Sequence, residues 1–185
     1  MRTYYSYKDS GVEWIGTIPT NWSTFRLKFC GKIICGGTPS TDNKDFWDGN
    51  IPWIQSGKVQ FRDIRLKDVD KFITVKGLEQ SSTKMVKGNS TLIAITGATC
   101  SNIGFLTFDS AVNQSIVAVE AYKSNNSRYL YYYLQTQKNQ ILSFQSGGAQ
   151  GGITKSECSN LFIPKIKISE QQQIVSFLDT KTLLI

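Results

Sequence analysis

The spacing of hydrophobic positions predicts strands up to residue 121 and mainly helices beyond it. Before that point, short apolar runs rich in Val, Ile and Phe are separated by Gly, Pro and Asn, which is typical of strands joined by turns. The strand candidates are residues 24–35 (alternatively a short helix–strand pair), 51–59, 71–75, 91–98, 102–108 and 115–121. Several short strands with turns between them predict a β-rich, partly rolled sheet.

The segment 128–145 shows helical spacing instead. It is rich in helix-forming residues, and Leu130, Leu134 and Ile141 fall on one face, which predicts an amphipathic helix. Residues 146–152 follow it as a glycine-rich loop.

The last part of the chain predicts a strand followed by a helix. Residues 160–168 read as a strand in which Pro164 suits an edge or an end. Ser169 and Gln172 have the spacing of a capping box, which predicts a helix that begins after Ser169 as its N-cap. Because no Gly or Pro ends this helix before Ile185, we expect it to be cut from a longer one; a short C-terminal helix docked on the core is the alternative.

The length of 185 residues suits one domain with a single core. The pattern predicts an α+β fold, with a β-rich rolled or curved sheet, packed helices and a C-terminal helix. We place the domain at residues 1–168 and the start of the C-terminal helix at residues 169–185.

The charge of the chain favours an anionic partner. Lys and Arg total 21 against 14 Asp and Glu, which gives a net charge of +7. A basic surface attracts nucleic acid or an anionic membrane, although many ordinary soluble domains are equally basic. Since no apolar run reaches the roughly 18 residues that span a membrane, we expect no membrane partner.

The absence of histidine excludes several enzyme classes. Serine–histidine and cysteine–histidine catalysis, histidine-dependent nucleases and Cys₂His₂ zinc sites all need that residue. Cys30, Cys35, Cys100 and Cys158 form no C-x-x-C pair, so we expect no structural zinc. Without an apolar signal segment at the N-terminus, they are expected to be reduced thiols in a cytoplasmic protein.

A loop rich in glycine and hydroxyl groups, GGTPST (36–41), is a candidate phosphate contact. Its backbone N–H groups and hydroxyls could meet a phosphate, because glycine lets a backbone approach closely. No G-K-[ST] follows, so the loop is not a P-loop, and a plain surface turn is the alternative. The candidate DNA contacts here are Thr38, Ser40, Thr41 and Lys44.

A second candidate segment, residues 58–67, carries side chains suited to DNA. Lys and Arg neutralise phosphates, while Arg and Gln can pair with guanine and adenine edges. Because Asp63, Asp68 and Asp70 are interleaved, a solvated face of mixed charge is the alternative. The candidates are Lys58, Gln60, Arg62, Arg65 and Lys67.

Smaller sets of candidates lie further along the chain. Lys84 and Lys87 lie near the turn predicted at Gly88-Asn89. Thr99 follows small residues at a strand end, which permit the close approach of DNA or of another backbone. Gln145 precedes the glycine-rich loop and Gln150 lies within it; this loop either orders on a DNA groove or is a simple connector.

Two further patterns are better explained by packing. Asn50-Ile51-Pro52-Trp53 superficially echoes an adenine methyltransferase motif, but a buried strand with a core tryptophan is the favoured interpretation. The tyrosines between 129 and 133 could stack on bases, yet their helical spacing favours packing.

Six segments in order resemble the specificity subunits of type I restriction–modification enzymes. Each motif is weak alone, but together they cover essentially the whole chain. They are YKDSGVEWIGTIPTNW (7–22), GGTPST…FWDGNIPWI (36–54), GLEQSSTKMVKGNSTLIAITGAT (77–99), VNQSIVAV (112–119), GGAQGGITKSECSNLFIPKI (147–166) and SEQQQIVSFLD (169–179).

The resemblance implies a rolled α+β recognition domain that reads one half of a split DNA site, followed by a spacer helix. In this family the specificity subunit binds methyltransferase subunits, which bring S-adenosylmethionine, and recruits ATP-dependent restriction subunits. No cofactor is therefore expected in this chain. A full subunit has two recognition domains, so this chain corresponds to a half-subunit or a fragment.

The favoured hypothesis is sequence-specific binding of duplex DNA by a chain without a catalytic centre. The final helix would dock on a partner helix, in a partner subunit or a second copy, through Ile174, Phe177, Leu178 and Ile185. Two rivals remain: a protein- or glycan-binding β-domain, and a small DNA methyltransferase or nuclease, which the missing histidines and cofactor motif disfavour.

Overall fold

The structure is a computed structural model that describes residues 4–145 and 151–182. Its strands are β1 (Tyr7–Asp9), β2 (Thr17–Pro19), β3 (Ser23–Arg26), β4 (Gly31–Cys35), β5 (Trp47–Ile54), β6 (Asp63–Ile64), β7 (Phe72–Ile73), β8 (Met85–Val86), β9 (Ser90–Ala94), β10 (Ile103–Leu106), β11 (Ser110–Val112), β12 (Ile116–Ala121) and β13 (Phe162–Lys165). Its α-helices are α1 (Val75–Glu79), α2 (Ser127–Thr136), α3 (Lys138–Ser143), α4 (Lys155–Asn160) and α5 (Ile168–Thr182).

A five-stranded sheet in the order β4-β12-β9-β10-β6 forms the centre of the fold. Its neighbouring strands are antiparallel, except that β10 and β6 are parallel. Successive side chains of a strand point to opposite faces, and in β12 both sets are apolar. Val117 and Val119 join one core cluster, while Ile116 and Ala118 join another. All four are fully buried, so the sheet is covered on both faces.

One face of this sheet packs against a second sheet, in the order β7-β5-β11-β8. Gly104 of β10 leaves room at this interface, because a Cβ there would lie 2.9 Å from Cδ1 of Ile64. The cluster that joins the sheets includes Ile34, Leu92, Leu106, Ile54, Val86 and Val112.

Helices cover the other face of the five-stranded sheet. Their contribution to the core includes Leu130 and Leu134 of α2, Ile141 of α3, Cys158 of α4 and Val175 of α5. The pair β13–β3 adds Ile163 to this cluster, and β1 and β2 form a separate antiparallel hairpin. The predicted α+β class is therefore confirmed.

Two predicted elements differ from the observed ones. The helix expected over 128–145 is interrupted at Gln137 (φ −93°, ψ 10°), which separates α2 from α3. The strand expected over 71–75 is limited to β7, because the side chain of Thr74 accepts a hydrogen bond from the N–H of Gly77 and caps α1. Leu134 and Ile141 keep helical spacing across the first break, and Ile73 and Val75 keep strand spacing across the second, so the apolar positions do not reveal either break.

The capping box predicted at Ser169 is wrong, because α5 begins at Ile168, two residues earlier than predicted. The N–H groups of Glu170 and Gln171 both donate to the carbonyl oxygen of Lys167, at 3.0 Å. Lys167 is thus the N-cap, and Ser169 lies inside the helix.

The side chain of Gln171 fastens α5 to the rest of the domain. Only 1% of it is exposed. Its Oε1 accepts from the N–H of Asn126 at 2.7 Å, and its Nε2 donates to the carbonyl oxygen of Ile166 at 3.1 Å and to Oδ1 of Asn125 at 3.3 Å. The start of α5 is thereby bonded to the segment that caps α2.

We expect Gln171→Ala to lower the free energy of unfolding by about 2 kcal/mol, because buried polar groups of its partners lose their hydrogen bonds. Gln172→Ala, at the next position of the same helix but exposed, should change it by less than about 0.5 kcal/mol. Urea unfolding of both variants measures the difference. Equal losses would show that Gln171 does not fasten the helix.

Candidate nucleic-acid interface

The loops that carry half of the predicted contacts meet at one end of the two sheets. Ala94, the last residue of β9, pairs with Ile116, the first of β12, and Cys35 at the end of β4 lies beside them. The parallel strands β5 and β11 end here at the paired residues Ile54 and Val112. The loops of this region, called the loop end below, are residues 36–43, 55–62, 95–102 and 113–115.

Hydrogen bonds join these loops into one surface. The N–H of Asn113 donates to the carbonyl oxygen of Ile54 at 2.9 Å, and that of Ile95 donates to the oxygen of Ser115 at 2.9 Å. The Nδ2 of Asn102 donates to the oxygen of Val59 at 3.0 Å. The surface is therefore held on the ends of buried strands.

The glycines of the GGTPST loop serve packing and not phosphate binding. The N–H groups of Gly36 and Gly37 donate to the carbonyl oxygens of Ile116 and Val112, at 3.1 and 2.9 Å, so they are unavailable to a phosphate. A Cβ at Gly36 would lie 2.1 Å from the carbonyl oxygen of Asn113. The expectation that these backbone groups cradle a phosphate is corrected accordingly.

The side chains of this loop differ in accessibility. The hydroxyl of Thr38 is hydrogen-bonded to Oε1 of Gln114, whereas Ser40 and Thr41 are exposed. Thr41 lines an open cavity of about 360 Å³. Lys44 is also exposed, at the start of the 3₁₀ turn Lys44–Phe46. Ser40, Thr41 and Lys44 are thus accessible to a ligand.

Two of the predicted cations in 58–67 already have carboxylate partners. The Nζ of Lys58 lies 2.9 Å from Oδ2 of Asp70, and Nη1 of Arg62 lies 3.1 Å from Oδ1 of Asp68. Their side chains are still 32% and 49% exposed. The segment is therefore a face of mixed charge, which was the alternative to a DNA contact, but its cations stay accessible.

The pKa values of both carboxyls are lowered. For Asp68 the main cause is a hydrogen bond from the N–H of Arg65, with a smaller contribution from Arg62 that burial opposes. For Asp70 it is the hydrogen bond from Lys58. Both carboxyls therefore remain ionised at pH values below the usual pKa range of aspartate, and both are charged at neutral pH.

The other candidates of this segment have no carboxylate partner. Gln60 is exposed, and its Nε2 donates to the carbonyl oxygen of Gly57 at 2.9 Å. Arg65 and Lys67 are exposed beside or within the 3₁₀ turn Leu66–Asp68. Within residues 4–145 and 151–182, no carboxylate lies within 4.0 Å of either charged group.

The structure separates Lys84 from Lys87. Because Met85 pairs with Ala111 in antiparallel register, Lys84 lies toward Val112 and the loop end. Lys87 follows β8 toward the opposite end, where its N–H donates to Oε1 of Glu120 at 2.9 Å. The two lysines therefore do not form one contact pair.

Thr99 and Gln145 both lie near the loop end. Thr99 is half-buried in the 3₁₀ turn Gly97–Thr99, and the preceding Thr96 forms an isolated bridge with Gly152. The Nε2 of Gln145 donates to the carbonyl oxygen of Gly151 at 2.9 Å. Gln150, another candidate contact, lies outside the described residues.

A half-buried ion pair near this surface involves Arg128, which the sequence did not suggest. Its guanidinium forms a two-pronged contact with Asp63, with Nη2 3.1 Å from Oδ2, and lies 3.8 Å from the centre of the Phe105 ring. No local pattern signals this pair, because its partners are 65 residues apart. It fastens β6, and with it the 55–62 loop, to α2.

The tyrosines of α2 pack inside the domain, as favoured from their spacing. Tyr129 and Tyr131 are each 5% exposed. The hydroxyl of Tyr133 donates to the carbonyl oxygen of Phe162 at 3.0 Å, and burial raises the pKa of Tyr131 to about 12. Trp53 is likewise a core residue, whose Nε1 donates to the oxygen of Gly37 at 3.0 Å.

All four cysteines are free thiols, and Cys30, Cys100 and Cys158 are buried. Burial raises the pKa of Cys30 and of Cys158 to about 12. These thiols are therefore protonated and unreactive at neutral pH.

The predicted partner face of α5 is partly covered by the domain itself. Ile174 and Leu178 are half-buried beside Trp22, whereas Phe177 is 51% exposed. The hydroxyl of Tyr132 also donates to Oδ1 of Asp179 at 2.5 Å. Ile185 lies outside the described residues, and docking on a partner helix stays a prediction. No helix in the described ranges is long and apolar enough to cross a membrane.

Comparisons with a family profile and with individual sequences identify the same family. The profile of the family described as "Type I restriction modification DNA specificity domain" matches residues 19–183. The chain is 30% identical over 182 residues to the type I restriction enzyme EcoR124I/EcoR124II specificity subunit of Escherichia coli, which covers 94% of this chain and 42% of that protein. It is 28% identical over 167 residues to the MjaIX specificity subunit of Methanocaldococcus jannaschii, covering 89% and 38%.

Solved structures share the fold. The HsdS subunit from Thermoanaerobacter tengcongensis superimposes with a TM-score of 0.71 at 20% identity, over 96% of this chain and 40% of that one. A chain from a study of complex assembly and conformational transition in the type I R-M system gives a TM-score of 0.73 at 21% identity, over 90% and 40%. This chain thus spans about two-fifths of the proteins it resembles.

We expect Arg128→Met to lower the free energy of unfolding by about 2 kcal/mol, because it leaves the half-buried carboxylate of Asp63 without its partner. Arg65→Met, which removes an exposed guanidinium without an ion pair, is the matched control and should change stability by less than about 0.5 kcal/mol. Urea unfolding tests both. If Arg128→Met leaves the free energy of unfolding unchanged, the pair does not hold the 55–62 loop.

Proposed function

We propose, from the premise that the chain belongs to the type I restriction modification DNA specificity domain family, that it binds duplex DNA sequence-specifically through the loop end. The observation that carries the proposal is the convergence of polar and cationic side chains from segments far apart in sequence. Accessible members of this set are Ser40, Thr41, Lys58, Gln60, Arg62 and Lys84.

The loop end suits DNA recognition because it combines rigid support with exposed polar groups. Two of its loops follow β9 and β11, in which every residue is buried, and a third follows the buried pair Trp53 and Ile54 at the end of β5, so these strand ends are held by the cores. Lysines on such a surface neutralise phosphates and set the register of the DNA, whereas Gln and Arg side chains can read base edges.

The aspartates beside Lys58 and Arg62 would make binding selective. Before DNA arrives, Asp70 and Asp68 hold these cations in place. On binding, a phosphate or a base edge replaces the carboxylate as the partner. The carboxylates repel DNA that does not offer this replacement, which lowers sequence-independent affinity.

The role in a larger assembly follows from the relatives, whose names identify specificity subunits. In this proposal the chain reads one half of a bipartite site and docks methyltransferase and restriction subunits, which supply S-adenosylmethionine, ATP and Mg²⁺. The chain itself has no catalytic role and works in the cytoplasm. A direct assay of the isolated chain for methyl transfer or DNA cleavage tests this part.

Docking of a partner helix would involve α5. Gln171 and Val175 face the domain, while Phe177 on the other side is exposed and Ile174 and Leu178 are half-buried. A partner subunit or a second copy that covers Phe177 would extend the apolar contact that the domain begins.

We expect the affinity for duplex DNA to fall steeply with salt. With about five phosphate contacts, the logarithm of the association constant should fall against the logarithm of salt concentration with a slope near −4.5. Fluorescence anisotropy with a labelled duplex at several salt concentrations measures the slope. A flat response would contradict DNA binding and favour a protein- or glycan-binding domain.

We expect Lys58→Ala and Arg62→Ala to weaken DNA binding and to reduce the magnitude of the salt slope by about 1 each. Asp70→Asn should raise affinity about fivefold, since it removes a negative charge near the phosphates. Melting temperatures should barely change, because exposed ion pairs contribute little to stability.

Lys123→Ala is the control for these variants, because Lys123 is exposed beyond β12 at the end opposite the loop end. It should leave affinity and slope close to those of the unmodified chain. If Lys123→Ala and Lys58→Ala have equal effects, binding reflects overall charge and not the loop end.

A further inference from the structure

Phe61 has a backbone conformation and an exposure that are both unusual for its type. Its φ is +53°, in the left-handed region that bulky residues rarely adopt. Its side chain is 36% exposed, whereas Val59 and Ile64 on either side of it are fully buried. The ring therefore stands at the surface on a strained backbone.

The strain arises from the anchored residues around it. The carbonyl oxygen of Val59 accepts from Nδ2 of Asn102 at 3.0 Å, and that of Arg62 accepts from the N–H of Phe105 at 3.1 Å. Between these fixed points the chain must turn sharply. Gly or Asn would adopt this turn more readily, so the backbone does not account for a phenylalanine.

A lysine beside the ring is placed to meet an anionic partner. The Nζ of Lys138, at the start of α3, lies 5.2 Å from the ring centre. The exposed side chains of Gln60 and Arg62 flank it in the same loop. No carboxylate lies within 4.0 Å of Lys138 among the residues that the structure describes.

We propose that Phe61 and Lys138 form a paired DNA contact, in which the ring of Phe61 packs against a base edge and Lys138 binds a neighbouring phosphate. The proposal rests on the DNA-binding function proposed above and names a specificity-determining residue for it. Thymine offers a suitable apolar group, its C5-methyl, in the major groove. The ring supplies sequence preference and the ammonium supplies affinity, and strain retained at this position is typical of a functional site.

The two members of the pair should be separable by experiment. Duplexes are selected from a random-sequence pool with the unmodified chain, Phe61→Asn and Lys138→Gln. Asparagine tolerates the left-handed backbone, so Phe61→Asn removes the ring without disturbing the turn. Tyr122→Asn, which removes a 51% exposed ring beyond the far end of β12, is the control.

Phe61→Asn should lose the preference at one base-pair position and bind the duplex selected by the unmodified chain about tenfold more weakly, with an unchanged salt slope. Lys138→Gln should recover the same sequence preferences, with the magnitude of its salt slope reduced by about 1. Tyr122→Asn should match the unmodified chain in both measurements.

Either of two results with Phe61→Asn would overturn this inference and leave the proposed function standing. One is an unchanged preference and affinity; the other is a lowered melting temperature with equal loss at every position, which would assign the ring to packing. If the unmodified chain itself selects no sequence and binds without salt dependence, the proposed function fails, and this inference with it.

Discussion

Burial of the central sheet on both faces is the constraint on which the rest of the structure depends. In β12, Val117 and Val119 face the helices while Ile116 and Ala118 face the second sheet. A polar side chain buried in such a strand needs a hydrogen-bond partner, as Thr91 of β9 has in the carbonyl oxygen of Ser127, because an unpaired polar group there would lose its hydration. The candidate DNA contacts lie instead in the loops that leave the strand ends. The antiparallel order brings several of these ends together at the loop end.

Attachment of α5 to the same domain links the loop end to the proposed spacer. Gln171 bonds the start of α5 to the cap of α2, and Tyr132 of α2 bonds to Asp179 of α5. Arg128, in the first turn of α2, holds Asp63 of β6. The helix that would set the distance between half-sites is thus fastened, through α2, to the strand that follows the 55–62 loop. In the proposed function, a rigid connection of this kind would suit the reading of split sites, in which spacing is part of the recognised sequence.

Charge at the loop end is balanced more closely than the net charge of +7 suggests. Lys58 and Arg62 are each paired with an aspartate, and Asp63 is neutralised by Arg128 from the helical side. A surface of unpaired lysines would bind any DNA tightly. In the proposed function, paired cations would give weaker general attraction and would leave more of the discrimination to side chains such as Gln60 and Phe61.

The sequence by itself determined the α+β class, most strands, the family and the loops that carry candidate contacts. These follow from apolar spacing, turn residues and ordered motifs, which are local properties. Only the tertiary structure decided which groups are available. In it, the N–H groups of Gly36 and Gly37 donate hydrogen bonds to neighbouring strands. Only Gln171 of three consecutive glutamines is buried. The tertiary structure also pairs Arg128 with Asp63 and leaves the ring of Phe61 exposed. The partners in each case lie far apart along the chain, so no local pattern encodes them.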